Sequence, residues 1–191
     1  MEAGIEFKVV IDMHNDIVSG ALCSDMARAI VPNAAEKTAA FIREHGKERL
    51  IFTKDTHGAD YAETNEGKHL PVPHCIRGTR GAEIIDEFKE SAAGAQVIEK
   101  RTFGSTSLPQ LVRDIAEKQC KAAARPFAEK DLIFHIVGLC TDICVVSNAM
   151  ILKANFPESR INVYADCCAG VTRESHEAAL LTMKMCHMEI L

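Results

Sequence analysis

Three residues far apart in the chain, Asp12, Lys100 and Cys144, are of the types that together can activate a thiol. Each stands at or just past the end of a short apolar run: Asp12 closes KVVID, Lys100 closes AQVIEK, and Cys144 follows DLIFHIVGL. A carboxylate beside a hydrophobic sheet has a raised pKa unless it is paired. The Lys100 ammonium is a partner of the right charge. Thr141 reads as a helix N-cap, which puts Cys144 at the third helical position, where free N–H groups and the helix dipole favour a thiolate. Taken singly, a strand-terminal Asp is commonly a cap or an ion-pair partner, and a buried Cys is commonly inert packing. Cys140 and Cys144, four apart in GLCTDICVV, leave three readings open: packing, a metal or redox pair, or a nucleophile.

A second set begins where the run RLIFTK stops. Asp55 and His57 alternate by two, so an extended backbone aims both the same way. With His74 of PVPHC they make two imidazoles and one carboxylate, and Glu66 or Glu63 can add a fourth ligand. Such a set suits a borderline divalent ion, Zn first, with Fe or Mn as alternatives, and leaves positions open for water or ligand. The other reading of these residues is a solvated, turn-forming loop. His69, beside Lys68, reads as solvent-facing.

The elements that must bring these groups together are visible as a rhythm. Strand patterns at 8–12, 49–54, 95–100, 131–139 and 160–166 alternate with helical patterns at 34–46, 105–120, 141–156 and 172–186, and MEIL adds an edge strand. Strand–helix alternation of this length predicts an α/β fold, three layers with a mostly parallel central sheet covered on both faces. Such sheets place their sites beyond the carboxyl ends of the strands, which is where the candidate residues fall. The irregular stretch 55–81 is long enough to be functional. His135, inside a strand, reads as a hydrogen-bonded core residue; His176 and His187 read as surface or interface.

The totals are those of one domain, 1–191, with 47% apolar residues. A net charge of -5 offers no basic face for nucleic acid. No apolar run approaches the ~20 residues of a membrane helix, and the start lacks a basic and then apolar leader. A cytoplasmic protein without membrane or nucleic-acid partners is expected. Its eight cysteines then read as free thiols, and no C-x-x-C pair favours a zinc ribbon.

Together VVIDMHND, FTKDTH, LPVPHCIRGTRGAE, VIEKRTFGST and VGLCTDICV resemble, in order, the nicotinamidase/isochorismatase-like cysteine hydrolase family, closest to nicotinamidases. DCCAG and the ESHEAAL helix extend the likeness almost to the C-terminus. The resemblance implies the isochorismatase-like hydrolase fold, with Cys144 as nucleophile, Asp12 as general base or acid and Lys100 as its charge partner. It implies a cis peptide at Leu139–Cys140 that turns the Cys140 N–H toward substrate, forming an oxyanion hole with the Cys144 N–H. It implies a metal on Asp55, His57 and His74, with Glu66 favoured over Glu63 as fourth ligand, that holds a pyridine nitrogen. The implied reaction is hydrolysis of a small amide, nicotinamide or a similar heteroaromatic one, to acid and ammonia through a thioester, with a role in NAD salvage. Relatives are often homo-oligomers. His14 stands where Gln is common, Ile17 where a Phe often stacks on the ring, and Trp is absent. Phe103 is then the aromatic wall, or simply a core residue. Other readings are an isochorismatase-like or carbamoyl-amide hydrolase of the same fold, or a non-catalytic redox or metal-binding module built on Cys140 and Cys144.

Overall fold

The central runs, 5–11 and 132–139 above all, are buried on both faces and so must be covered twice, whereas 96–100 at the sheet edge alternates between buried and exposed. The computed structural model describes residues 4–191. Strands β1 (Ile5–Ile11), β2 (Leu50–Asp55), β3 (Gln96–Lys100), β4 (Leu132–Leu139), β5 (Arg160–Ala169) and β6 (Glu189–Ile190) pair in the order β3-β2-β1-β4-β5-β6. Every pairing is parallel. The helices are α1 (Asn15–Val18), α2 (Asp25–Ala29), α3 (Val31–His45), α4 (Asn65–His69), α5 (Asp86–Ala92), α6 (Leu108–Ala122), α7 (Val146–Asn155) and α8 (Arg173–Met185).

Strand alternation divides the core. Phe7, Val9 and Ile11 of β1 face Val112 and Ala116 of α6, Leu152 of α7 and Met183 of α8. Val10 faces the other way, toward Ala34 and Phe41 of α3 and Phe88 of α5. The result is the three-layer α/β/α arrangement that the rhythm predicts. The long segment 55–81 is less irregular than expected, since it carries a 3-10 turn at Tyr61–Glu63, α4 and the start of a second 3-10 turn at Arg80–Ala82. The predicted helix at 34–46 starts earlier, at Val31, with a proline in its first turn.

The chain runs outward from β1 to β3, then returns to lay β4 on the other flank of β1. The crevice beyond the carboxyl ends of β1 and β4 is therefore the reversal point, where ligands of open α/β sheets bind. Gly138 lets the two strands meet there. Its φ is +129°, and a Cβ would lie 2.1 Å from the Ile11 carbonyl oxygen. Gly138→Ala is expected to lower unfolding stability by at least about 2 kcal/mol, read as a lower denaturant midpoint.

Lys8 is a charge in the core. It is 2% exposed in mid-β1, with its ammonium 4.8 Å from the centre of the Tyr164 ring. Burial pulls its pKa from 10.5 down to about 8 against the opposing pull of Cys167. Between those two values the unfolded chain binds more protons, so stability is depressed below about pH 8 and recovers as pH rises toward 10.5. Lys8→Met is expected to stabilise the protein by about 1–3 kcal/mol at pH 7. That gain should shrink toward zero near pH 10.5 in parallel denaturation curves.

Candidate active site

Asp12 follows the last residue of β1, where the backbone turns through φ 49°. Lys100 ends β3, on the same inward-facing register as Ile98. The two side chains meet behind the ends of β1 and β2, with Lys100 Nζ 2.6 Å from Asp12 Oδ2. The other carboxylate oxygen of Asp12 accepts the Thr53 hydroxyl at 2.7 Å. Lys100 Nζ also donates to Cys144 Sγ at 3.6 Å. Asp12, Lys100 and Cys144, which the sequence places at three strand ends, thus form one connected group. Burial works against the Lys100 charge, but Asp12, then Cys144 and Asp55, outweigh it, and its pKa stands above the ordinary value.

The turn that carries Cys144 differs from the expected helix start. Thr141 is not the N-cap: Cys140 is, and residues Thr141–Val145 form a wide π-helical turn ahead of α7. The Val145 N–H reaches back five residues to the Cys140 carbonyl at 3.0 Å. The Thr141 hydroxyl is instead 2.8 Å from His176 Nδ1 of α8, so His176 is tied into the site rather than a free surface group. The Asp142 carboxylate accepts the Val171 N–H and the Ser175 hydroxyl. These bonds fasten the turn to the start of α8. The peptide bond between Leu139 and Cys140 is cis. Cys144 is held as a thiol, because burial first and the Asp12 charge second push its pKa well above the usual thiol value. The lowering expected from a helix N-terminus does not arise in this buried turn.

Four donors gather beside this group. One ligand atom from each of Asp55, His57, Glu66 and His74 lies within 4.8 Å of all the others. His57 Nε2 is 3.1 Å from Asp55 Oδ2 and 3.6 Å from Glu66 Oε1, and His74 Nε2 is 3.5 Å from Glu66 Oε1. His74 Nδ1 donates to the Val72 carbonyl at 2.9 Å, which fixes the ring and presents Nε2 to the cluster. Two imidazoles and two carboxylates with their donor atoms converging fit a divalent ion such as zinc. Glu63 is exposed and outside the cluster. Asp55 also stands 3.7 Å from Lys100 Nζ, so the donor cluster and the thiol group share one ammonium.

Several positioning residues carried little or no sequence signal. The Tyr61 ring stands edge-on to both His57 and His74, at 4.8 and 5.1 Å between ring centres. Thr64 caps α4 by accepting the Gly67 N–H, which seats Glu66; a polar cap before Asn-Glu was the readable cue. Asp16 accepts the Cys75 N–H at 2.8 Å and so anchors the loop that bears His74. Asn148, a polar residue in an apolar helical stretch, donates to the carbonyls of Cys144 and Phe103. His14 is fully buried, and its Nε2 accepts the Asp55 N–H at 2.9 Å.

The thiol and the four donors open on one cavity of about 710 Å³. Cys140, Cys144, Asp55, His57, Glu66 and His74 line it, and so do Ile17 and Phe103. Phe103 is 43% exposed, a wall residue rather than a core one. Among the described residues no helix is long and apolar enough to cross a membrane.

A parallel α/β/α sheet with a carboxylate–ammonium–thiol group at its reversal point defines a recognisable class of protein. The isochorismatase domain family matches residues 7–191, and the chain belongs to that family of hydrolases. It is 26% identical over 186 residues to the nicotinamidase/pyrazinamidase of Mycobacterium tuberculosis, covering 95% of this chain and 96% of that protein. The crystal structure of nicotinamidase/pyrazinamidase PncA from Bacillus subtilis matches with a TM-score of 0.74 and 26% identity, covering 97% of this chain and 98% of that one. The pyrazinamidase of Pyrococcus horikoshii in complex with zinc shares the fold at a TM-score of 0.70 and 22% identity, covering 97% and 98%.

The two glutamates that sequence reading left in competition can be separated directly. Glu66→Ala is expected to weaken zinc binding at least about tenfold, whereas Glu63→Ala leaves it unchanged. Elemental analysis and zinc titration of the two variants measure this, and equal behaviour would remove Glu66 from the ligand set.

Proposed function

We propose that the chain is a metal-dependent cysteine amidase that hydrolyses nicotinamide, or a closely similar heteroaromatic carboxamide, to the acid and ammonia. The observation that carries this reading is the chain of contacts from Asp12 through Lys100 to Cys144, at 2.6 and 3.6 Å, on the wall of a cavity that also holds four metal-type donors. The nicotinamidase relatives at 26% identity supply the substrate class.

In the proposed reaction Asp12 takes the Cys144 proton as the sulfur attacks the amide carbonyl carbon. The N–H groups of Cys140 and Cys144 receive the developing oxyanion, an interaction worth about 3 kcal/mol per donor in other acyl-transfer sites. Asp12 returns its proton to the nitrogen, the C–N bond breaks and ammonia leaves. Water then attacks the thioester with Asp12 again as base, which releases the acid and restores the thiol. Lys100 stays charged throughout and holds the Asp12 carboxyl in place through their 2.6 Å contact. A divalent ion on Asp55, His57, Glu66 and His74 would supply a Lewis-acid anchor for a ring nitrogen. Ile17 and Phe103 flank the ring.

Cys144→Ala is expected to reduce ammonia release from nicotinamide by more than about a thousandfold while leaving the denaturation midpoint within ordinary limits for a buried Cys substitution. Retained turnover in that variant would falsify the nucleophile assignment.

A further inference from the structure

The cavity is larger than the proposed reaction needs. Pockets of ~300–1,000 Å³ hold drug-sized ligands, and this one measures about 710 Å³. A one-ring amide that reaches from the four-donor cluster to Cys144 leaves much of that space unfilled. Thr64, Asn65, His69, Arg101 and Thr102 give the cavity polar edges, but most of the wall beyond the four donors and the thiol is apolar. Leu22, Ala27, Leu70, Phe103, Ile143 and Val171 form that part. Leu70, Phe103 and Val171 are also among the few large apolar side chains exposed on the described residues, and all three gather at this cavity. Exposed apolar groups concentrated at one opening mark a surface that a ligand covers. Ile17 lines the same cavity, and the chain has no Trp to fill it.

We infer that the physiological substrate is a carboxamide on a heteroaromatic ring that bears an apolar extension, such as a fused second ring, and that this extension lies against the Leu70–Phe103–Val171 side of the cavity. The inference rests on the amidase reading of the same site. The reacting end is unchanged: water is consumed, the C–N bond is cleaved and ammonia leaves. What differs is the hydrocarbon carried by the ring, which removes the exposed side chains from water as it binds. One further apolar group in a fitted pocket discriminates by roughly 10–200-fold.

The test compares ammonia release from nicotinamide and from quinoline-3-carboxamide, which is the same pyridine carboxamide with a fused ring, using the zinc-loaded full-length protein. The expected result is a kcat/KM at least about tenfold higher for the two-ring amide. Leu70→Ser and Val171→Ser should each lower turnover of the two-ring amide more than that of nicotinamide, through KM more than kcat. Equal or better turnover of nicotinamide overturns the inference and leaves the amidase reading standing. Ammonia release from neither compound, with zinc bound, overturns the amidase reading itself and the inference with it. Serine variants that slow both amides alike also overturn the inference, because they would show a general structural effect rather than contact with the second ring.

Discussion

The contact between Lys100 and Asp12 is the interaction on which the rest of the site depends. Asp12 is fully buried and Asp55 is 5% exposed, and they end neighbouring strands. Two carboxylates so placed cannot both stay ionised without a cation, since each buried charge costs several kcal/mol when unpaired. Lys100 is that cation, 2.6 Å from one and 3.7 Å from the other. Its third neighbour is the Cys144 sulfur. The ammonium therefore ties the metal-type donors to the thiol, and its position at the end of β3, in register with Asp55, is set by the parallel ladder.

That arrangement reconciles a thiol whose pKa is raised with its proposed role as nucleophile. A depressed thiol pKa is one route to reactivity, and here burial and Asp12 oppose it. In the proposed reaction the proton does not leave for solvent. It passes from Cys144 to Asp12, so a thiolate replaces a carboxylate beside the same ammonium and the net charge of the group is unchanged. The energetic demand is then on the geometry of transfer rather than on the resting ionisation of the sulfur.

Much of this was readable in advance because it depends on strand ends. The five long strands follow from β-branched apolar runs, and a parallel sheet fixes which of their ends share an edge, so Asp12, Asp55, Lys100 and Cys144 could be assigned to one rim. Helices α1, α2 and α5 were not legible, since four to seven residues are too few for a 3.6-residue period to show. The turn at Thr141 misled for a different reason. A threonine before a helical pattern is normally a cap, but its hydroxyl is drawn to His176, a partner 35 residues away that no local pattern reveals. Glu66 could be favoured over Glu63 but not separated from it by sequence, because the choice rests on a short capped helix inside a long loop.

His14 shows how a departure from the family pattern can keep its physics. A Gln there, which the family resemblance leads one to expect, would accept with its side-chain oxygen. His14 meets that need with Nε2, which accepts the Asp55 N–H while the ring lies 4.0 Å from Asp12 Oδ1. The substitution works only if the imidazole is neutral, because a protonated ring has no acceptor. Burial lowers the His14 pKa, against the pull of Asp12, and so favours the neutral form. Neutrality matters a second time. A cation at His14 would compete with Lys100 for Asp12 and weaken the pairing that holds the thiol group together. The cost is visible in the same ring, whose buried Nδ1 has no partner among the described residues, a loss of about 1–3 kcal/mol for one unmade hydrogen bond. A buried histidine that keeps an unsatisfied nitrogen in order to remain an acceptor is what the charge balance of this rim requires.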